Sequence, residues 1–232
     1  MRLRLPEERP AEPPTGYKIA HAVLSQDGTR AAFTGVSLGG SLPYGVRADA
    51  SCVYGLRHRP PQRRCDCGFH CVHDRAAAEA LLCTAEHRTA VLLEVTVLGA
   101  YIRFEHGFRY ARQRVRTATA GPCACGTAAV ALADAGWGRP GWRALAPSCE
   151  GCLRGRYALS LAAFARLAGD GLRVVAAGGA AGPRPPREPV AAGTFGVPEL
   201  VAEAALLQAR LDWFQTELAR LGARGQGGAG QG

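Results

Sequence analysis

Apolar and polar residues alternate with a period of two along several stretches of this chain, the pattern of β-strands with one buried face. Over residues 17–24, Tyr17, Ile19 and Val23 fall on one face with His21. The turn signal Gln26-Asp27-Gly28 follows, and residues 30–38 return as the second arm of a hairpin. Residues 91–98 carry the clearest alternation, with Val91, Leu93, Val95 and Val97 together. Residues 99–105 and 108–117 extend it into two more strands around a His106-Gly107 turn. Helical segments are fewer. Asp74 is a good N-cap for an alanine-rich stretch running to about Thr84, and residues 156–168 read as a helix ended by Gly169.

Beyond residue 177 the pattern changes. Residues 177–196 form a Gly/Pro/Ala linker. Residues 197–222 then repeat apolar positions at alternating four- and three-residue steps: Leu200, Ala204, Leu207, Leu211, Phe214, Leu218 and Leu221. That is a heptad seam on one helix, with Glu203, Arg210 and Glu217 placed to pair across a homodimer. Docking of the helix back onto its own domain is the alternative. Residues 1–15 and 223–232 read as disordered tails, the first rich in proline and charge, the second in glycine. The expected fold class is α+β: a small, mainly antiparallel sheet over residues 16–176, stabilised by two zinc sites, plus the C-terminal helix.

Composition sharpens this in two ways. The chain has 232 residues, nine of them cysteine, and a formal charge of +9 in which Lys18 is the only lysine. A positive surplus favours anionic partners such as nucleic acid. Abundant Ala, Gly, Pro and Arg are also what codon bias in a GC-rich genome produces. The N-terminus has no apolar leader, and no run approaches the roughly eighteen apolar residues a spanning helix needs. The expectation is therefore a cytoplasmic protein without membrane contact. In that compartment thiols stay reduced, and clustered cysteines read first as metal ligands.

The cysteine spacing supplies two such sets. Cys123-Ala-Cys125-Gly and Cys149-Glu-Gly-Cys152 are close pairs separated by a spacer carrying Trp137 and Trp142. Each short pair presents two thiolates from one turn, and four soft donors suit tetrahedral Zn²⁺. Both tryptophans are expected on a loop or hairpin that packs over this site. The other reading is a redox pair at Cys149 and Cys152, which leaves Cys123 and Cys125 without a role. Upstream, Cys52, His58, Cys65 and Cys67 form the preferred second set, with Pro60-Pro61 stiffening the intervening loop. His70, Cys71 and His73 compete as ligands. Cys71 on a strand would otherwise be a small buried hydrophobe, and Cys83 is expected in the core.

One strand carries a further pattern. On a period of two, Phe108, Tyr110, Arg112, Arg114 and Arg116 share a face. Aromatics beside arginines on a strand surface can stack bases and hold phosphates. The alternative places the two aromatics in the core and the arginines in solvent.

Arg64-Cys-Asp-Cys-Gly-Phe-His-Cys, Leu92-Leu-Glu-Val-Thr-Val-Leu-Gly and Glu105-His-Gly-Phe-Arg-Tyr-Ala-Arg-Gln-Arg-Val together resemble a family of small actinobacterial zinc-knuckle proteins. Its members carry a Cys-x-Cys-Gly-aromatic knuckle, a strand ending in glycine and a glycine-aromatic-arginine segment. The resemblance covers residues 17–117. In this chain His70-Cys71 stands where the family has an aromatic and a small residue. The resemblance implies one compact zinc-stabilised domain and adds nothing about function.

These features favour a non-enzymatic zinc-binding regulatory protein that contacts nucleic acid through the arginine-rich strand and loops. A protein-interaction adaptor that dimerises through its C-terminal helix is the second reading, and a thiol redox or zinc-dependent enzyme the third. His-Glu-x-x-His, deaminase and phosphate-loop motifs are absent, and two full sets of four protein donors leave no open metal position.

Overall fold

A computed structural model describes residues 12–36, 42–52, 54–83 and 87–178. The chain divides into two units, Met1–Gly182 and Pro183–Gly232, and the described residues belong to the first. The expected helix over 197–222, with any dimer it forms, lies outside them. So do the tail 223–232 and most of the linker and the N-terminal tail.

Among the described residues ten strands and two α-helices follow in the order β1 (Thr15–Ser25), β2 (Ala31–Gly35), β3 (Arg47–Asp49), β4 (Phe69–Val72), α1 (Arg75–Leu82), β5 (Val91–Arg103), β6 (Gly107–Ala120), β7 (Ala131–Arg139), β8 (Trp142–Ser148), β9 (Ala158–Ser160), α2 (Leu161–Ala168) and β10 (Arg173–Ala176). All ten strands join one sheet, larger than the small sheet expected. Its pairings are antiparallel except that β10 runs parallel to β6. β1 is the hub, pairing with β2, β4, β5 and β8. Because β5 pairs with β6 and β6 with β4, the strands β1, β5, β6 and β4 close a cycle.

Alternation along β1 separates two cores, as its sequence period requires. Ala20, Ala22 and Leu24 enter the main core with Phe33, Leu93, Tyr110, Leu145 and Phe164. Ile19 faces the other way, into a smaller core with Ala78, Ala90 and Leu92 that α1 covers. The Asp74 carboxylate accepts from the Ala77 amide and caps α1 as expected. Cys83 at the end of that helix is exposed, not in the core, because its position lies past the apolar stripe. The second expected helix begins at Leu161 instead of residue 156. Residues 158–160 pair with β7, and Ser160 caps the helix through Ala163.

The long hairpin of β5 and β6 departs from strict alternation. Between Leu98 and Tyr101, β5 uses three steps where β6 uses two, beside Gly99 with its φ of 70°. Between Glu94 and Val95 the extra residue is Arg116, on β6. Bulges of this kind re-aim side chains. The inward positions of β6 accordingly run Phe108 and Tyr110, then Val115, then Ala118 and Ala120. Gln113, fully buried between the first two groups, accepts from the Tyr110 hydroxyl at 2.9 Å.

Candidate metal centres

Two clusters of metal-ligating side chains are assembled in the described residues, each with its donor atoms within 4.8 Å of one another. The first joins Cys52, His58, Cys65 and Cys67; the second joins Cys123, Cys125, Cys149 and Cys152.

In the first cluster Cys52 follows β3, while Cys65 and Cys67 lead into β4. β3 and β4 both pair with β6, so the sheet brings their ends to one place. The Cys52 and Cys65 sulfurs are 3.8 Å apart, and His58 Nε2 lies 3.0 Å from the Cys67 sulfur. Gly68 sustains the turn after Cys67 with a φ of 125°, and its Cα hydrogen position faces Arg109 Cγ and the Tyr110 carbonyl closely enough to crowd a Cβ. Arg109 braces the loop from β6: its guanidinium donates to the Cys65 carbonyl at 2.6 Å, to the Gln62 carbonyl at 3.2 Å and to the Asp66 carboxylate at 3.2 Å.

The second cluster sits at the open end of the β7–β8 hairpin. Cys123 and Cys125 form a tight turn ahead of β7, in which the Gly126 amide donates to the Cys123 carbonyl. Cys149 and Cys152 bracket a single 3₁₀ turn, Glu150–Cys152, after β8. The pairing of Ala131 with Ser148 at the hairpin base brings the two turns together, with the Cys125 and Cys149 sulfurs 3.5 Å apart.

Thiols packed this closely cannot all ionise without a compensating cation. Burial, with Cys65 alongside, pushes the Cys67 thiol up to about 11. In the second cluster the Thr127 hydroxyl and amide bring Cys125 down to about 6, while neighbouring Cys123, Cys149 and Cys125 push Cys152 up to about 12. A bound dication would remove that conflict by favouring every thiolate at once.

The competing ligands fall elsewhere. Cys71 is buried in the main core, as its strand position suggests. His73 contacts the Phe104 carbonyl at 3.0 Å and packs edge-on against Phe108. His70 lies on β4 outside both clusters. Cys149 and Cys152 share their site with Cys123 and Cys125, so they do not stand as an isolated pair.

Two expectations about aromatic residues are corrected. Phe108 and Tyr110 are 7% and 0% exposed and belong to the core, so they do not share a solvent face with the arginines. The phase switch along β6 turns Arg112, Arg114 and Arg116 to the opposite side. There Arg112 pairs with Asp49 at 2.6 Å, Arg114 donates to the Asp170 carbonyl at 3.2 Å, and Arg116 donates to the Thr96 hydroxyl at 2.9 Å. Trp137 and Trp142 lie near the closed tip of the hairpin, where Arg139 pairs with Trp142. A strand rise of about 3.3 Å per residue puts that tip roughly 25 Å from the cysteines. Trp137 packs edge-on against His21 instead.

Arg109 is the contributor that sequence reading misses. It alternates between Phe108 and Tyr110, a position that alternation alone assigns to solvent, yet it is 6% exposed.

Fold and clusters together define a mainly antiparallel sheet protein carrying two sites placed to bind a metal ion. Among the described residues no helix is long and apolar enough to cross a membrane. Compared with known proteins, the chain matches no family model, no curated protein and no solved structure.

Proposed function

We propose that this is a non-enzymatic, zinc-binding regulatory protein whose sheet is held by two structural Zn²⁺ ions and which contacts nucleic acid. The observation that carries the metal part is the convergence of four protein donors at each cluster. Three thiolates with one imidazole, and four thiolates, are soft tetrahedral sets suited to Zn²⁺. Sulfurs bound tetrahedrally at about 2.3 Å stand roughly 3.8 Å apart. The separations of 3.8 and 3.5 Å fit that edge. Four protein ligands fill the shell, so neither ion retains the open position that metal catalysis requires.

The net charge of +9 supports the nucleic-acid part. So do Arg112, Arg114 and Arg116, whose guanidinium groups each have one hydrogen-bond partner among the described residues and further N–H groups beyond it. Two measurements test the reading. Metal analysis of protein purified under reducing, chelator-free conditions is expected to find two zinc ions per chain. Fluorescence anisotropy with random-sequence duplex and single strands is expected to show binding at low salt that weakens linearly in log salt. Metal-free protein that still melts cooperatively rejects the metal part, and absence of binding at low salt rejects the nucleic-acid part.

A further inference from the structure

The tip of the β7–β8 hairpin carries one exposed and one half-buried tryptophan, with arginines beside them, that neither metal cluster uses. Between Asp134 and Gly138, β7 spends four steps where β8 spends two, and this wide irregularity leaves Trp137 42% exposed. Trp142 and Trp137 line an open groove of about 510 Å³ together with Arg139, Arg143 and Gln26. The groove is a shallow trough and not an enclosed cavity, which suits a polymer passing across it better than a small molecule held inside.

Arginines already stack on the rings around this trough. The Arg30 guanidinium lies 5.2 Å from the Trp142 ring centre, and Arg143 lies 5.2 Å from that of Tyr157, itself 46% exposed. The Arg139 side chain makes no hydrogen bond or ion pair among the described residues, and the acidic Asp134 is met by Arg143 at 3.8 Å. The local balance is therefore cationic. An exposed indole such as Trp137, beside guanidinium groups that outnumber the nearby carboxylates, can stack unpaired bases joined by phosphates. A duplex keeps its base faces covered and offers such rings nothing to stack on.

We propose that this hairpin tip is a stacking platform for single-stranded nucleic acid, with Trp137 and Trp142 receiving bases and Arg30, Arg139 and Arg143 holding phosphates. The proposal rests on the nucleic-acid reading above and adds the surface and the state of the strand. The β6 arginines lie on another part of the sheet, so the two surfaces are separable by mutation.

The test titrates the full chain with labelled deoxythymidine and ribouridine homopolymers of about 12 nucleotides, and with a duplex of equal length, at low salt. Single strands are expected to bind more tightly than the duplex and to quench tryptophan fluorescence. Losing one stacking ring in Trp137→Ala should weaken binding by about tenfold, while Trp137→Phe restores most of it. Arg139→Glu, at a side chain with no hydrogen-bond or ion-pair partner among the described residues, should weaken binding and flatten its salt dependence. Metal content and melting temperature of each variant control for folding. If the natural chain binds single strands but both hairpin variants bind equally well, the platform is wrong and the broader reading survives. Preference for duplex also overturns the platform. Binding to neither overturns both. The deoxyribo and ribo arms distinguish DNA from RNA as the source of the strand.

Discussion

Arg109 holds the backbone of Cys65: its Nη1 donates to the Cys65 carbonyl at 2.6 Å across forty-three intervening residues of chain. The same guanidinium reaches the Gln62 carbonyl and lies 5.7 Å from the Phe104 ring centre. A strand residue thus fixes the loop that presents two ligands of the first cluster. Arg109→Ala is expected to destabilise the protein by about 2 kcal/mol, because two carbonyls lose a charged donor. Metal affinity at the first cluster should fall with it, as it does when groups that orient ligands are removed. Chemical denaturation and competition with a chromophoric chelator measure the two effects. Arg109→Lys should restore little, since one ammonium cannot span both carbonyls.

Each cluster is expected to hold its ion independently. Cys67→Ser and Cys125→Ser should each lower zinc from two ions per chain to one, and the double variant should carry none. Mass spectrometry under native conditions counts the ions directly. Retention of both ions in either single variant would show that the altered thiol is not a ligand.

Lys18 makes stability depend on pH in an unusual direction. Its ammonium lies 5.1 Å from the Tyr44 ring centre and 4.9 Å from that of Phe69. Burial brings its pKa down to about 8, with the nearby Cys71 thiol opposing in part. Tyr110 contributes no charge in this range, since burial raises its pKa well above the usual tyrosine value, and Cys71 is held up at about 11. The folded state therefore binds fewer protons than the unfolded chain between about pH 8 and the ordinary lysine value. The stability associated with Lys18 is fully present above that upper value and is lost as pH falls through about 8. Lys18→Met removes the charge while keeping the stem. The variant should be more stable than the natural chain at pH 7, by about 3 kcal/mol at most, and the gap should narrow as pH rises towards 10. Urea denaturation of both proteins at pH 7 and pH 9.5 checks the sign.

Gly107 marks a close approach between strands. A Cβ there would lie 2.0 Å from the Cys71 carbonyl oxygen. Backbone cannot yield as a side-chain tip can, so Gly107→Ala should cost about 3 kcal/mol by forcing β4 and β6 apart. Gly121→Ala, with nothing within 4 Å of its Cβ, is the matched control. Thermal melts of the two variants should separate clearly.

Much of the local structure was legible without coordinates. The period-two runs of β1 and β5, the Asp74 cap and the glycine turn at 28 depend on neighbours in sequence, so the pattern alone displays them. The donor sets were legible for the same reason: Cys-x-Cys and Cys-x-x-Cys fold into turns that aim two sulfurs together, whatever the rest of the chain does. What remained hidden depends on pairing between distant segments. Cys83 and the start of α2 were misplaced because a stripe's edge and a short paired strand both depend on tertiary partners.

The sequence by itself determined that residues 16–176 form strands more than helices and that eight side chains suit two metal ions, since both follow from short-range spacing and donor chemistry. Only the tertiary structure decided that Phe108 and Tyr110 point inward while Arg112, Arg114 and Arg116 point outward, that Arg109 is a buried brace, and that Trp137 and Trp142 lie far from the cysteines. Bulges at Gly99 and Arg116 reverse the facing of a strand, and a hairpin's length separates its tip from its base. Both are set by register between strands, which no local pattern encodes.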